Sequence, residues 1–308
     1  MNGTIWLFPG LGCRYVGMGH DLFGQFPTAD ALISEAQSRL GYDLREVCLE
    51  GSGRKVVPAR QEAQVIYVLD CAYGAVLRDQ GYQPTAVAGH SLGCWAAAFT
   101  AGVFDFQTGL ELVTHVEELL EAHALGRTEG MGVVLGLDKS VVQSLLTPRV
   151  SIANWNSQEQ VVLGGDLTEI DQILSEASRL GAKRAKRLPT DRALHTPLMR
   201  DVSAKLREKL SQVSWSEPAF PFLAGLSGQE TDDGLLRSAE EIRDFLGDFL
   251  DRPVFWQGTL ENLRRRKSDT FLEIGPGNVL TQMLSFIDRT AVIRTASEVL
   301  EQDVTRSC

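Results

Sequence analysis

Ala86-Val87-Ala88-Gly89-His90-Ser91-Leu92-Gly93-Cys94-Trp95-Ala96-Ala97-Ala98-Phe99 is a short apolar run, a glycine-framed pentapeptide and a helical run in succession. The pentapeptide Gly89–Gly93 has the pattern G-x-S-x-G of a nucleophile elbow. Such a turn passes from strand to helix too sharply to tolerate side chains beside the serine. It lifts Ser91 Oγ clear of the sheet and sets it at a helix N-terminus. There the N–H of Leu92 has no intrahelical acceptor and can face an oxyanion. Five residues recur by chance in a chain with 29 glycines. The apolar strand before and the helix after are what the elbow requires, and both stand in place.

Upstream, Ile5–Phe8 reads as a buried first strand and Gly10-Leu11-Gly12 as the tight turn after it. The N-terminus has no basic segment and a short apolar run, which reads as a strand and not as a signal peptide. Helical periodicity runs from about Asp30 to Leu40 and from about Gln61 to Gln80, stopping at Gly81. Strands alternating with helices imply a mostly parallel sheet covered on both faces. From about residue 127 the order becomes strand Met131–Leu137, helix Lys139–Leu146, strands Val150–Asn154 and Gln160–Leu163, helix Ile170–Leu180 and strand Arg184–Leu188. Strand-helix-strand-strand-helix-strand is the ferredoxin-like order. The expected fold is therefore α/β: an α/β-hydrolase-like large domain, residues 1–126 and 191–308, with a ferredoxin-like subdomain, 127–190, inserted. The body resumes with helix Pro197–Val213 and strand Thr270–Ile274, and the polar tail after about Glu301 is expected to be disordered.

A composition of 44% hydrophobic and 23% charged residues suits an ordinary soluble domain. The formal charge of −10 argues against nucleic acid as partner. Two basic runs, Lys183-Arg184-Ala185-Lys186-Arg187 and Arg264-Arg265-Arg266-Lys267, read first as solvated faces. Five widely spaced cysteines without a CxxC pair point away from a disulfide framework or a metal site and toward a reducing cytoplasm. Ala86–Phe104 approaches membrane length, but His90, Ser91 and glycines interrupt it, and no membrane span is expected.

Serine needs a base. The candidates are His20, His90, His115, His123 and His195, of which His90 adjoins Ser91 and should point away. His115 and His123 fall on a polar helical stretch and should be exposed. His195 lies where the chain returns from the insert. The residues alone leave it open as the base or as an exposed loop histidine. Cys94 is a rival nucleophile, but it sits inside the helix without an elbow. Leu11 could offer a second backbone N–H to an oxyanion, although a glycine turn after a strand is more often only a turn.

Together these pieces resemble the malonyl-CoA:acyl-carrier-protein transacylases and the acyltransferase domains of polyketide synthases. The likeness is collinear to about residue 295. Phe8-Pro9-Gly10-Leu11-Gly12-Cys13-Arg14-Tyr15-Val16-Gly17-Met18-Gly19 is similar to the family's FPGQGSQ-x-x-GMG. Gly89–Gly93 with Ala101-Gly102-Val103 is similar to GHSLGE…AAGV, and Asn154-Trp155-Asn156-Ser157 with Gln160-Val161-Val162 to N-x-N-S-x-x-Q-V-V. Ala193-Leu194-His195-Thr196-Pro197-Leu198-Met199 is similar to AFHSPLM, and Glu273-Ile274-Gly275-Pro276-Gly277 to E-x-GPG. The resemblance implies a Ser91–His195 dyad in ping-pong transfer, with the N–H groups of Leu11 and Leu92 as the oxyanion hole and the Phe249 carbonyl orienting His195. It implies no resident cofactor or metal, because the substrates carry phosphopantetheine thioesters. The partner is an acyl-carrier protein, with acyl-CoA as an alternative donor, and the chain is expected to act as a cytoplasmic monomer. Lys183, Arg184, Lys186, Arg187, Arg264 and Arg265 then become candidates for docking an acidic carrier.

Three positions depart from the family pattern. Members that use malonyl groups carry an arginine whose planar fork holds the substrate carboxylate, and ungapped counting places Val116 there. Leu194 stands for the usual Phe, and Leu11 for the usual Gln. An acyl pocket at Val116, Leu194 and Arg192 suits a group without a terminal carboxylate, since burying an unpaired anion is costly. The alternatives are a malonyl enzyme in which Arg192 or Arg127 reaches in, an editing hydrolase that releases acyl groups from stalled carriers, and a non-catalytic carrier-binding module.

Overall fold

The computed structural model describes residues 3–50, 57–225, 234–264, 270–287 and 291–307. The six-stranded sheet comprises β1 (Thr4–Phe8), β2 (Ala86–Gly89), β7 (Phe222–Leu223), β8 (Leu235–Leu236), β9 (Thr270–Glu273) and β10 (Ile293–Thr295). Their order across the sheet is β10-β9-β1-β2-β7-β8, parallel except where β8 runs against β7. The apolar residues of β1 and β2 are buried on both faces, as a strand between two helical layers must be. The helix Ala59–Asp79 is buried along most of its length, and the helix Gly93–Ala101 packs against both central strands.

The four-stranded sheet holds β3 (Glu129–Leu135), β4 (Val150–Ser157), β5 (Gln160–Asp166) and β6 (Arg184–Arg187), in the antiparallel order β4-β5-β3-β6. With helices Lys139–Ser144 and Leu167–Arg179 between them, this is the ferredoxin-like arrangement. Leu167–Arg179 turns Ile170, Ile173, Leu174 and Ala177 inward, a spacing that lays one helical stripe on the sheet. Its N-terminus is capped by Asp166, whose carboxylate accepts from the N–H groups of Thr168 and Glu169. The fold class is thus the one expected from the order of elements.

A bridge outside the named strands ties β4 to the loop before the helix Trp256–Arg264. Trp155 N–H donates to Val254 O at 2.8 Å, and Val254 N–H to Ala153 O at 2.8 Å, so β4 holds the segment that follows Phe249. Two expectations need correction. The tail is helical from Ala296 through Ser307, because its first turns pack Val299 and Leu300 into the core. The stretch after Pro197 is a short 3₁₀ turn, Pro197–Met199, followed by a helix that ends at Leu210.

Candidate active site

Parallel neighbours deliver their following loops to the same edge of a sheet. Phe8 of β1 is paired with Gly89 of β2, so the loops Pro9–Gly12 and His90–Leu92 emerge side by side. His90 N–H donates to Phe8 O at 2.9 Å. A Cβ on Gly93 would lie 2.1 Å from Phe8 O, and one on Gly89 would lie 2.2 Å from Cys94 N. Neither contact is possible for a larger residue, which is the physical content of the elbow's glycines. Gly10 approaches the elbow equally closely: a Cβ there would stand 2.4 Å from His90 O and 3.4 Å from Leu92 N. Leu11 and Leu92 are therefore neighbours, and neither backbone N–H donates to a protein acceptor among the described residues. Two such donors converging on one edge can hold an oxyanion.

Ser91 takes a left-handed backbone, φ 54°, at the top of this turn. Its Oγ–H donates to His195 Nε2 at 2.7 Å. On the far side of the ring, His195 Nδ1–H donates to Phe249 O at 2.6 Å. That second bond fixes the tautomer, leaving the Nε2 lone pair toward the serine. His195 itself is held by its backbone N–H, which donates to Leu250 O at 2.7 Å. Burial disfavours the imidazolium and outweighs the Phe249 carbonyl, and nearby His90 adds to the effect. The His195 pKa falls from its ordinary 6.5 to about 4. A neutral imidazole facing a hydroxyl can take its proton at physiological pH.

Among the described residues the other candidates sit elsewhere. His90 turns away from Ser91 toward Asn156 Oδ1, 3.1 Å from its Nε2, and lies edge-on to Trp256. Asn156 falls within a motif stretch, but nothing in that stretch signalled this contact. Cys94 is buried with its Sγ 3.2 Å from Gly89 O, and burial raises its thiol pKa. It is no rival to Ser91. His123 corrects an expectation of exposure. Its side chain is 6% exposed, and its Nε2 lies 3.0 Å from Glu129 Oε2, at the junction with β3.

Val116 and Leu194 are buried in one apolar cluster with Leu92, Met131 and Val162. Arg127 does not supply a substitute guanidinium: it is half-exposed and bonds Glu129 Oε1 at 3.1 Å. Arg192 is buried, and its Nη1–H donates to Glu117 Oε2 at 2.5 Å. Sequence reasoning did not single out Glu117, because an acid on an amphipathic helix reads as solvent-facing. The basic run on β6 is exposed, with Lys183 paired to Glu159 and Arg187 to Asp171. The Arg264 side chain and Arg265 lie outside the described residues. So does Cys308.

Residues 5–296 match the acyl transferase domain family. This chain belongs to that family. It is 33% identical over 280 residues to the malonyl CoA-acyl carrier protein transacylase of Synechocystis, covering 90% of this chain and 91% of that one. The solved malonyl CoA-acyl carrier protein transacylase of Coxiella burnetii superposes with a TM-score of 0.90 at 28% identity, covering 99% and 98% of the two chains. A malonyl-transacylase solved in complex with a type II PKS acyl-carrier protein gives 0.89 at 30% identity, covering 97% and 99%. As a member of the family, the acyltransferase described above is an enzyme built on a serine and a histidine. Among its described residues, no helix is long and apolar enough to cross a membrane.

Proposed function

We propose that this acyltransferase moves an acyl group without a terminal carboxylate from a thioester onto Ser91, and from there to the phosphopantetheine thiol of an acyl-carrier protein. The observation that carries the chemistry is the relay Ser91 Oγ, His195 Nε2, His195 Nδ1, Phe249 O. His195 takes the serine proton as Oγ attacks the thioester carbonyl, and the N–H groups of Leu11 and Leu92 meet the charge that develops on oxygen. The imidazolium returns the proton to the departing thiolate. In the second half the incoming carrier thiol gives its proton to His195 and attacks the acyl ester, and Ser91 Oγ leaves with that proton.

The carrier as acceptor is supported by the relatives, which are named as carrier-protein transacylases and include one solved with its carrier. Those relatives are named for malonyl transfer. The preference proposed for this chain rests instead on the pocket, where Val116 and Leu194 are buried and apolar and Arg192 is already engaged by Glu117. At Arg192 a substrate carboxylate would meet a guanidinium already paired with an internal acid.

The test is intact-mass analysis of the protein after exposure to malonyl, acetyl and hexanoyl thioesters, with and without holo carrier. The expected result is an adduct on Ser91 from acetyl and hexanoyl donors that then passes to the carrier. Malonyl loading as fast as either of the others would overturn the preference. Free acid appearing faster than acyl-carrier would make the chain an editing hydrolase. No adduct from any donor would leave only a carrier-binding role.

A further inference from the structure

Arg192 stands three positions before His195, and Glu117 follows Val116 on the helix Phe106–Ala124. Arg192 is 5% exposed and Glu117 is 3% exposed. A buried guanidinium must find a counter-charge, and a buried carboxylate must find a donor. Each finds the other through a single hydrogen bond, Nη1–H to Oε2, and not through a two-pronged fork. Arg192 Nε is buried without a hydrogen-bond partner, and among the described residues its other ion-pair partner is exposed Asp191, with Oδ1 3.4 Å away. The guanidinium therefore has donor capacity to spare.

What stands around it disfavours a further anion. Burial pushes the Glu62 carboxyl up, and the backbone of Gly12, next to Leu11, lies near enough to oppose that shift. Glu117 lies close enough to add to the negative charge around Glu62, and Arg14 beside Glu62 and Arg192 beside Glu117 are the nearby cations. Two buried acids, Glu62 and Glu117, thus already stand against the two cations Arg14 and Arg192 without a substrate. A third carboxylate would face two like charges across a space from which water is largely excluded.

We propose that Glu117 is a specificity-determining residue: its carboxylate occupies Arg192 from inside the protein, so that the pocket rejects acyl groups ending in a carboxylate. The proposal rests on the assignment of Val116, Leu194 and Arg192 to the acyl pocket. It predicts that neutralising Glu117 frees a guanidinium whose planar fork suits a carboxylate. Glu117 then decides the acyl group without touching the reacting atoms.

The experiment measures the rates at which malonyl-CoA and acetyl-CoA acylate Ser91, by intact mass, in the wild type, E117Q and E117Q/R192Q. The ratio of the two rates cancels any general loss of serine reactivity. E117Q should raise the malonyl-to-acetyl ratio about tenfold or more, the scale of one charge-assisted contact, and E117Q/R192Q should return it to the wild-type value. E117S, which leaves more room, serves if E117Q does not fold. A wild type that favours acetyl, together with a Glu117 variant whose ratio is unchanged, overturns this proposal alone. A wild type that already favours malonyl overturns the proposed acyl preference and this one with it. A gain that survives loss of Arg192 also overturns it, because the new carboxylate site would then lie elsewhere.

Discussion

Ser91 and His195 are the only two non-glycine residues with a left-handed backbone among those described, at φ 54° and 61°, and they are hydrogen-bonded to each other at 2.7 Å. They lie 104 positions apart. Left-handed backbone costs a residue with a Cβ about 1–2 kcal/mol, so the strain falls on the two side chains whose mutual aim matters most. Their surroundings hold them there: the packed elbow glycines on one side, and the Phe249 and Leu250 carbonyls on the other. Strain of this kind persists only where its neighbours over-determine it.

Replacing Ser91 separates chemistry from strain. Ser91→Ala and Ser91→Gly should both abolish the acyl adduct. Only the glycine variant relieves the left-handed backbone, so it should be the more stable of the two by about 1 kcal/mol. Urea unfolding of the pair checks this, and equal midpoints would show that the turn carries no strain.

The proton equilibrium of His195 sets the acid side of the pH profile. Its pKa is pushed down to about 4 from 6.5, chiefly by burial. Acylation should be at full rate at pH 6.5 and decline only as the pH approaches 4. The same shift makes the unfolded chain the better proton binder between those values. Its contribution to stability is therefore present above 6.5 and is lost as the pH falls toward 4. His195→Gln should slow acylation by roughly 10²–10⁴-fold and remove this limb. A half-maximal rate at the ordinary histidine pKa would contradict the buried, neutral imidazole.

Carrier docking can be separated from chemistry by comparing acceptors. Arg184 and Lys186 lie on the exposed edge strand β6, and Lys183 immediately precedes it. Reversing all three to glutamate should raise KM for the carrier severalfold, and leave KM for acyl-CoA unchanged, because the CoA thioester needs only the cleft. An unaltered carrier KM would remove β6 from the docking surface.

Asp70 lies beneath the first loop, fully buried, with neither carboxylate oxygen bonded and Glu273 close by. Burial, aided by Glu273, raises its pKa well above the ordinary 3.8. A carboxyl raised in this way binds its proton more tightly in the folded chain. Its contribution is complete below 3.8 and is lost as the pH climbs through the raised value. Asp70→Asn holds the neutral form at every pH. The stability of the wild type relative to D70N should therefore fall from acidic to alkaline buffer, as thermal unfolding across pH can show. A constant difference would mean that Asp70 does not titrate.

Local rules were enough to read Ser91, its elbow, the parallel body and the ferredoxin-like insert, because strand-turn-helix chemistry and hydrophobic period are written in neighbouring residues. Glycines at 89 and 93 are legible for the same reason: their demand is steric and falls within one turn. His195 could be ranked but not settled by its neighbours, since a base is defined by what it faces across a hundred positions. The bond to Phe249 O uses a backbone atom, so the side chain at 249 carries no trace of it. Glu117 shows the limit most plainly. On the helix its charge suggests water, and only the packing of Arg192 against that face turns it into a buried partner. The type of nucleophile was thus decided by the chain's own order. Which imidazole, which carbonyl and which counter-ion meet it was decided by tertiary packing, because pairing energies depend on distance and burial that residue order alone does not specify.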